Sequence, residues 1–329
     1  MHPLPTPSAR PPARAARRIA RFSLPLRVAA MVVAVALASH ACTDGAAAPR
    51  AGTPAAGRAA DPGVHRQYGT PMRVGNGRAR TYIVLDQTAG GRPLEVGVAL
   101  DEAALEGLST PAAAAAGGSG PHAHAGTAIF DLELPARHGT QYRFVQLDWN
   151  PGGHEPPGVY DVPHFDFHFY TISKAERDSI DVSVLGEAEY AARASSLPPE
   201  EERTATYVPL SPPGGPVASV PRMGVHWGSL NAPELQGVFG HPEAARPFTT
   251  TFLRGSWNGR VTFDEPIVTR AFILGRRAAT APAQRDSVIP LPSAQRYRPA
   301  GHYPAAYRVA YDAQAKEYRI ALVQLTRRD

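Results

Sequence analysis

Residues His164–Tyr170 read HFDFHFY, a strict alternation: Phe165, Phe167 and Phe169 share one parity, and His164, Asp166, His168 and Tyr170 the other. Successive side chains of a β-strand point to opposite faces. The segment is therefore predicted to be a strand with one aromatic face and one face of chelating and acid–base groups. A strand that is merely half-buried carries Thr, Ser, Lys or Glu on its polar side. His, Asp, His and Tyr are instead the side chains of metal sites and proton transfer.

The surrounding stretch, Trp149–Tyr170 (WNPGGHEPPGVYDVPHFDFHFY), adds His154 and Glu155. Pro156-Pro157-Gly158 can turn the chain back, which would return His154 to the polar face of the strand. Residues two apart on one face of a strand are separated by about 6.6 Å and residues four apart by about 13 Å. One ion can thus take Asp166 with either histidine, and both histidines only if the strand is bulged or bent. His154, His164, Asp166 and His168 are the candidate metal ligands, a set that suits a borderline divalent ion such as zinc. The spacing H-x9-H-x-D-x-H matches no standard zinc signature, and a buried network in which the histidines hydrogen-bond carboxylates and tyrosines is the competing reading.

Further along, His226 lies in MGVHWG and His241 in FGHPE. Thr250–Trp257 and Arg260–Asp264 flank Asn258-Gly259, the preferred pair for a two-residue type I′ turn. Uninterrupted pairing from that turn sets Trp257 against Arg260, Ser256 against Val261 and Phe252 against Glu265. Glu265 would then share a face with Val261, Phe263 and Phe252, where a carboxylate is costly unless a cation, a metal or a donor meets it. Arg254, diagonal to Glu265, is the simplest such partner. His226 and Glu265 form a second tier of candidate ligands, and Glu155 and Glu265 are the candidate general bases. His122-Ala123-His124, in an Ala/Gly-rich loop, has no assigned function. G-x-S-x-G, Walker, Rossmann, H-E-x-x-H and CxxC patterns are absent, so Ser-nucleophile, nucleotide-binding and standard metalloprotease chemistry lack support.

The remaining periodicity is mostly that of strands. Arg80–Asp86, Pro93–Leu100, Ala128–Leu134, Gln141–Leu147, Tyr307–Tyr311 and Tyr318–Leu325 are predicted strands, the last two as a closing antiparallel pair. Asp101 can cap a short helix, Glu102–Leu108, and Ser173 with Glu176 forms a capping-box pattern. Residues 181–221 are polar and Pro-rich, with few clear elements. The fold class is mainly β (α+β), an antiparallel β-barrel or sandwich-like single domain over residues 68–329 with a few short helices.

The net charge of +5 invites a nucleic-acid reading that fails on inspection. Six arginines lie in residues 1–42, which contain no acid; without them, 28 basic side chains face 29 acidic ones. That basic stretch and the apolar run Val28–Ala38 read as an export signal, too short to span a bilayer as a helix. Cys42, the single cysteine, follows directly and resembles the lipidated cysteine of a bacterial lipobox, although Ser39 stands where Leu is usual. The expectation is a leader over 1–42, lipidation at Cys42, a disordered Ala/Gly/Pro tether over 43–67, and a cell-envelope location, with membrane contact through the anchor and no nucleic-acid partner. Cleavage by an ordinary signal peptidase is the alternative.

The set DWNPGGHEPPGVYDVPHFDFHFY, MGVHW, FDEPIVTRAFIL and GHYPAAYRVAYD resembles an uncharacterised family of exported bacterial proteins. That family is a domain of unknown function with the signature GHEPxGxYDxPHFDFHFY. The resemblance extends over roughly residues 70–325 and implies a mainly β single domain, compatible with a homo-oligomer. It carries no activity to transfer. Three functions stay open: a binding protein whose cluster holds a divalent metal or polar ligand, a metal-dependent hydrolase or lyase, and a structural or assembly module with a buried polar network.

Overall fold

A computed structural model describes residues 63–111, 126–211 and 215–329. The expected leader, Cys42, the tether up to residue 62 and the His122/His124 pair lie outside the described residues. Sixteen strands are described, all in antiparallel ladders. Those of the first sheet are β1 (Val64–Tyr68), β2 (Met72–Val74), β3 (Gly77–Asp86), β4 (Arg92–Asp101), β12 (Asp286–Pro290), β14 (Ala306–Asp312) and β15 (Glu317–Val323). They run in the order β1-β3-β4-β15-β14-β12, with β2 also on β3. The second sheet contains β5 (Ala128–Glu133), β6 (Phe144–Asn150), β7 (His164–Tyr170), β8 (Tyr207–Pro209), β9 (Val225–Ser229), β10 (Thr250–Trp257) and β11 (Arg260–Thr269). Its order is β5-β6-β7-β11-β10-β9-β8, and β13 (Gly301–Tyr303) with β16 (Thr326–Arg328) makes a separate two-stranded ribbon. Neither large sheet closes on itself, so of the two expected architectures the sandwich is the one formed.

The aromatic parity of β7 explains how the sheets meet. Phe165, Phe167 and Phe169 are fully buried and join Val145, Leu147 and Trp149 of β6 on one face. That face shares a core with Ile83, Val96, Val98, Ile320 and Leu322 of the first sheet. Phe252 of β10 packs its ring 5.6 Å from that of Tyr307 on β14, and Thr250 Oγ1 lies 3.2 Å from the Tyr307 hydroxyl. Burying each phenylalanine contributes about 1.5–3 kcal/mol. The aromatic side of β7 is thus the inter-sheet core, which leaves the His/Asp side on the outer face of the second sheet.

Irregular segments cover that outer face. Tyr160, from the β6–β7 connection, and Leu235 and Phe248, from the β9–β10 connection, pack on Leu253 and Ile267. The helices are short: α1 (Lys174–Asp178), α2 (Val182–Leu185), α3 (Glu187–Ser195) and α4 (Arg270–Ala278). The Ser173/Glu176 capping box opens α1 as the sequence predicts. Asp101 caps Ala104 N at 2.9 Å, but the segment it opens is a 3₁₀ turn, Glu102–Leu105, and not the longer helix expected. Strand structure also precedes the expected boundary at residue 68, because β1 pairs along its whole length with β3.

Candidate metal centre

β7 stands between β6 and β11, and the register fixes what its polar face meets. On one side Gln146, Asp148 and Asn150 oppose His168, Asp166 and His164. On the other, Thr269 opposes His164, Ile267 opposes Asp166 and Phe263 opposes Tyr170, so continuation of the ladder brings Glu265 beside His168. The β10–β11 hairpin departs from uninterrupted pairing. A bulge between Gly255 and Ser256 leaves Thr262 unpaired, so Glu265 opposes Leu253 and Phe252 opposes Pro266. The expectation that Phe252 shares the face of Glu265 is therefore wrong by one residue. The same shift sends Arg254 to the inter-sheet face, where its Nε is 3.3 Å from Asp264 Oδ1, in a pair to which Tyr142 adds a 2.5 Å hydrogen bond. Arg254 is not the partner of Glu265. Gly255 permits the bulge: a Cβ there would lie 1.9 Å from the Phe263 ring.

The polar face carries two groups of candidate ligands, each with its ligand atoms within 4.8 Å of one another: His154, His164 and Asp166, and His168, His226 and Glu265. The four primary candidates therefore do not form one set. β7 is neither bulged nor bent enough to bring His164 and His168 to a common point, and His168 joins the second-tier residues instead. His241 is exposed and belongs to neither group. Glu155 is exposed, and its backbone carbonyl is what reaches the first group.

His154 arrives by the return turn the sequence suggests. Val159 N donates to Pro156 O at 3.1 Å, and His154 N to Tyr160 O at 3.2 Å. Gly153, at φ 74°, makes the closure possible, since a Cβ there would lie 2.1 Å from Tyr160 O. The His154 ring ends 4.6 Å from that of His164, with its Nε2 3.3 Å from Asp166 Oδ2. His164 Nε2 lies 3.2 Å from Asp166 Oδ1. Both imidazoles are anchored through the opposite nitrogen: His154 Nδ1 is 2.7 Å from Glu155 O and His164 Nδ1 is 2.6 Å from Val162 O. A carbonyl can only accept, so both Nδ1 atoms carry protons and both Nε2 atoms face the carboxylate. Asn150 Nδ2 donates to Asp166 Oδ2 at 2.7 Å, while Asp166 Oδ1 has no aligned hydrogen-bond donor among the described residues. Tyr160 and Phe248 wall the group, the Phe248 ring 5.6 Å from that of His164.

In the second group His168 Nε2 is 3.1 Å from Glu265 Oε1, His226 Nε2 is 3.6 Å from Glu265 Oε2, and His168 Nδ1 is 3.7 Å from Asp148 Oδ2. The contacts of His168 are close but lack hydrogen-bond alignment. Asp148 is held by Gln146 Nε2, at 2.8 Å from Oδ2, and Gln146 Oε1 accepts from Arg177 Nη1 at 2.8 Å. Asp148 and Asn150 are members of this network that the sequence reading passed over. Their signal was available, since Gln146, Asp148 and Asn150 share one parity of FVQLDWN.

The electrostatics follow from burial. Desolvation opposes the charged form of His154, but its hydrogen bond to Asp166 and that group's charge outweigh burial and raise it to about 9. His168 is likewise opposed by burial and raised to about 9 by Glu265, with Asp148 adding to the effect. Burial pushes Asp166 up, but His164 and His154 more than reverse this and hold it well below the carboxylate range. Burial pushes Asp148 up to about 7, with His168 opposing. The buried carboxylates thus favour the charged form of the imidazoles beside them.

A family model described as TTHB210-like, hypothetical protein TTHB210, matches residues 88–149. Over that segment the chain is similar to an uncharacterised domain family. The match takes in β4, β5 and all but the last residue of β6, so it contains Asp148 but none of the six candidate ligands. No curated protein and no solved structure matches the chain.

Proposed function

We propose that this is an exported, lipid-anchored envelope protein whose β-sandwich holds a divalent metal ion, with zinc the best fit, at His154, His164 and Asp166. One observation carries the metal reading: both histidines give their Nδ1 protons to backbone carbonyls and aim Nε2 at a buried carboxylate. This is how metal-ligating histidines are oriented by their outer partners. Ligand atoms about 2.0–2.2 Å from a tetrahedral zinc are about 3.3 Å from each other. The contacts of 3.3 and 3.2 Å to Asp166 match that separation. The ion would replace the proton as the source of positive charge.

Metal-depleted protein titrated with zinc at pH 8 tests the reading. Uptake of zinc with a rise in melting temperature, reversed by chelator, is expected. His154→Ala and Asp166→Asn should each abolish uptake at the first group while the far-UV circular dichroism stays native. Uptake at the first group by either variant equal to wild type overturns the assignment.

Three protein ligands leave a fourth position for water or substrate, which favours a metal-dependent hydrolase or lyase as the second reading. Glu155 is the nearer of the two proposed general bases in sequence, next to His154, whereas Glu265 is committed to the other group. The export proposal rests on the basic, acid-free stretch before Val28–Ala38 and on the lone Cys42. Mass spectrometry of the membrane fraction should find an acylated Cys42 at the mature N-terminus, and Cys42→Ser should move the protein to the soluble fraction. An unmodified chain that starts upstream of Cys42 ends the lipoprotein proposal.

A further inference from the structure

The second group has its own case, independent of the first. His168 is fully buried, and among the described residues neither of its ring nitrogens has an aligned hydrogen-bond partner; Glu265 Oε2 is equally buried and unmatched among them. Leaving such groups unsatisfied in a low-dielectric interior costs about 1–3 kcal/mol each. Yet they are aimed at one another across two strands, and β9 adds His226 from a third. Tyr170 stacks on His168 with ring centres 5.8 Å apart, and the Phe263 ring stands 5.0 Å from His168 and 5.2 Å from His226. The group therefore has apolar walls and a cluster of donor atoms at its centre, with His226 partly open to solvent as a way in.

We infer that His168 Nε2, His226 Nε2 and Glu265 form a second, separate divalent-metal site, with Asp148 as the positioning residue for His168. Several relations support it. The separations of 3.1 and 3.6 Å bracket the distance of about 3.3 Å between tetrahedral zinc ligands. Asp148 Oδ2 faces the other nitrogen of His168, the place of the carboxylate in a carboxylate–histidine–metal arrangement. Asp148 is itself fixed by Gln146, and Gln146 by Arg177, whose Nη2 binds Asp131 at 3.0 Å. The outer support is thus a chain of side chains, where the first group uses backbone carbonyls. Asp166 and His168 are about 6.6 Å apart along the strand. Two ions at that spacing do not share a bridging oxygen, which needs about 3.5–4 Å. The two sites share no ligand and should appear as two separate equivalents.

The test uses the full chain, metal-depleted, with zinc chloride alone as the probe and metal counted after equilibrium dialysis. Wild type should hold two equivalents. His226→Ala and His154→Ala should each hold one, and the double variant none. His226 is the least buried member, so its removal threatens the fold least, and circular dichroism of each variant checks this. Asp148→Asn should keep the second equivalent but weaken it about 10- to 100-fold, with the first unchanged. Cobalt in place of zinc should give His154→Ala a tetrahedral visible band that Asp148→Asn perturbs, an effect a purely structural role would not produce. If His226→Ala binds as much as wild type, or if His154→Ala binds nothing, the second site is refuted. If wild type binds a single equivalent that His226→Ala loses and His154→Ala keeps, the second site stands and the first reading falls.

Discussion

Asp166 and Glu265 are each bordered by two imidazoles, and protonation beside these carboxylates bears on how the protein answers to pH. His154 and His168 are raised from 6.5 to about 9 in the folded chain. Their stabilising contribution is complete below about pH 6.5 and is lost as pH rises through about 9. Asp148, raised from 3.8 to about 7, acts in the same direction, since its neutral form is the favoured one. Asp166 contributes above about pH 3.8 and loses its share only in stronger acid. Metal-free protein should therefore be less stable at pH 9 than at pH 6, by on the order of a few kcal/mol. Urea unfolding at the two pH values measures this, and equal midpoints would show that the histidines are not held as imidazolium. The alternation of HFDFHFY made the shared face legible from residues alone. What it could not show was the division of that face. Separation along one strand allowed a single ion for both His164 and His168 only if the strand were bulged or bent, and only the register with β6, β9 and β11 shows that it is not and which neighbour each one meets.

At the scale of elements, the two faces of β7 make opposite demands, and each has a test. Phe167→Ala should cost about 3–5 kcal/mol through lost transfer energy and a cavity in the inter-sheet core. A loss below about 1 kcal/mol by chemical denaturation would mean that this face is not core. Gly153→Ala addresses the other face. It places a Cβ in a left-handed backbone position against Tyr160 O, so the turn that delivers His154 must open. The strands should survive, with native circular dichroism, while zinc affinity at the first group falls at least tenfold; unchanged affinity would show that the turn does not position His154. The hairpin illustrates where local rules stop. Asn258-Gly259 located the turn, and its two nearest pairs are as predicted. The bulge beyond them was missed, although Gly255 in mid-strand is the kind of residue that marks a close approach. Helix α3 was missed for a different reason. Among polar, Pro-rich neighbours it buries only Tyr190 and Ala194, so it shows little apolar periodicity.

For the whole molecule, β-rich class, short helices and the closing β14–β15 pair could be read from period and turn chemistry. Assignment of strands to sheets could not. β4 and β15 are paired in one sheet although more than two hundred residues apart in sequence, and nothing local encodes that pairing. The start of the fold was set too late because Val64–Tyr68 is mostly exposed and reads as polar linker. Among the described residues no helix is long and apolar enough to cross a membrane. Any ion that binds only the folded sandwich adds to its stability by mass action, about 2.7 kcal/mol when free zinc is a hundredfold above its dissociation constant. The melting temperature should rise with free zinc accordingly, more at pH 8 than at pH 6, because the ligands must shed protons to bind. A melting temperature indifferent to zinc at both pH values would exclude a folded-state site.

Five of the six candidate ligands stand on strands; His154 alone is carried by a loop, pinned at its own backbone by a 3.2 Å hydrogen bond to Tyr160 O. That asymmetry separates affinity from residence time. The sheet presents His164 and Asp166 ready-made, so under the proposed function an arriving ion would meet two ligands at once and then be closed over by the third. Departure of such an ion would need the loop to lift first. Chelator in excess should strip the first group at a rate that no longer depends on chelator concentration, and the exchange of the His154 amide proton should report the same opening. The second group, with every ligand on a strand, should lose its metal without such a ceiling.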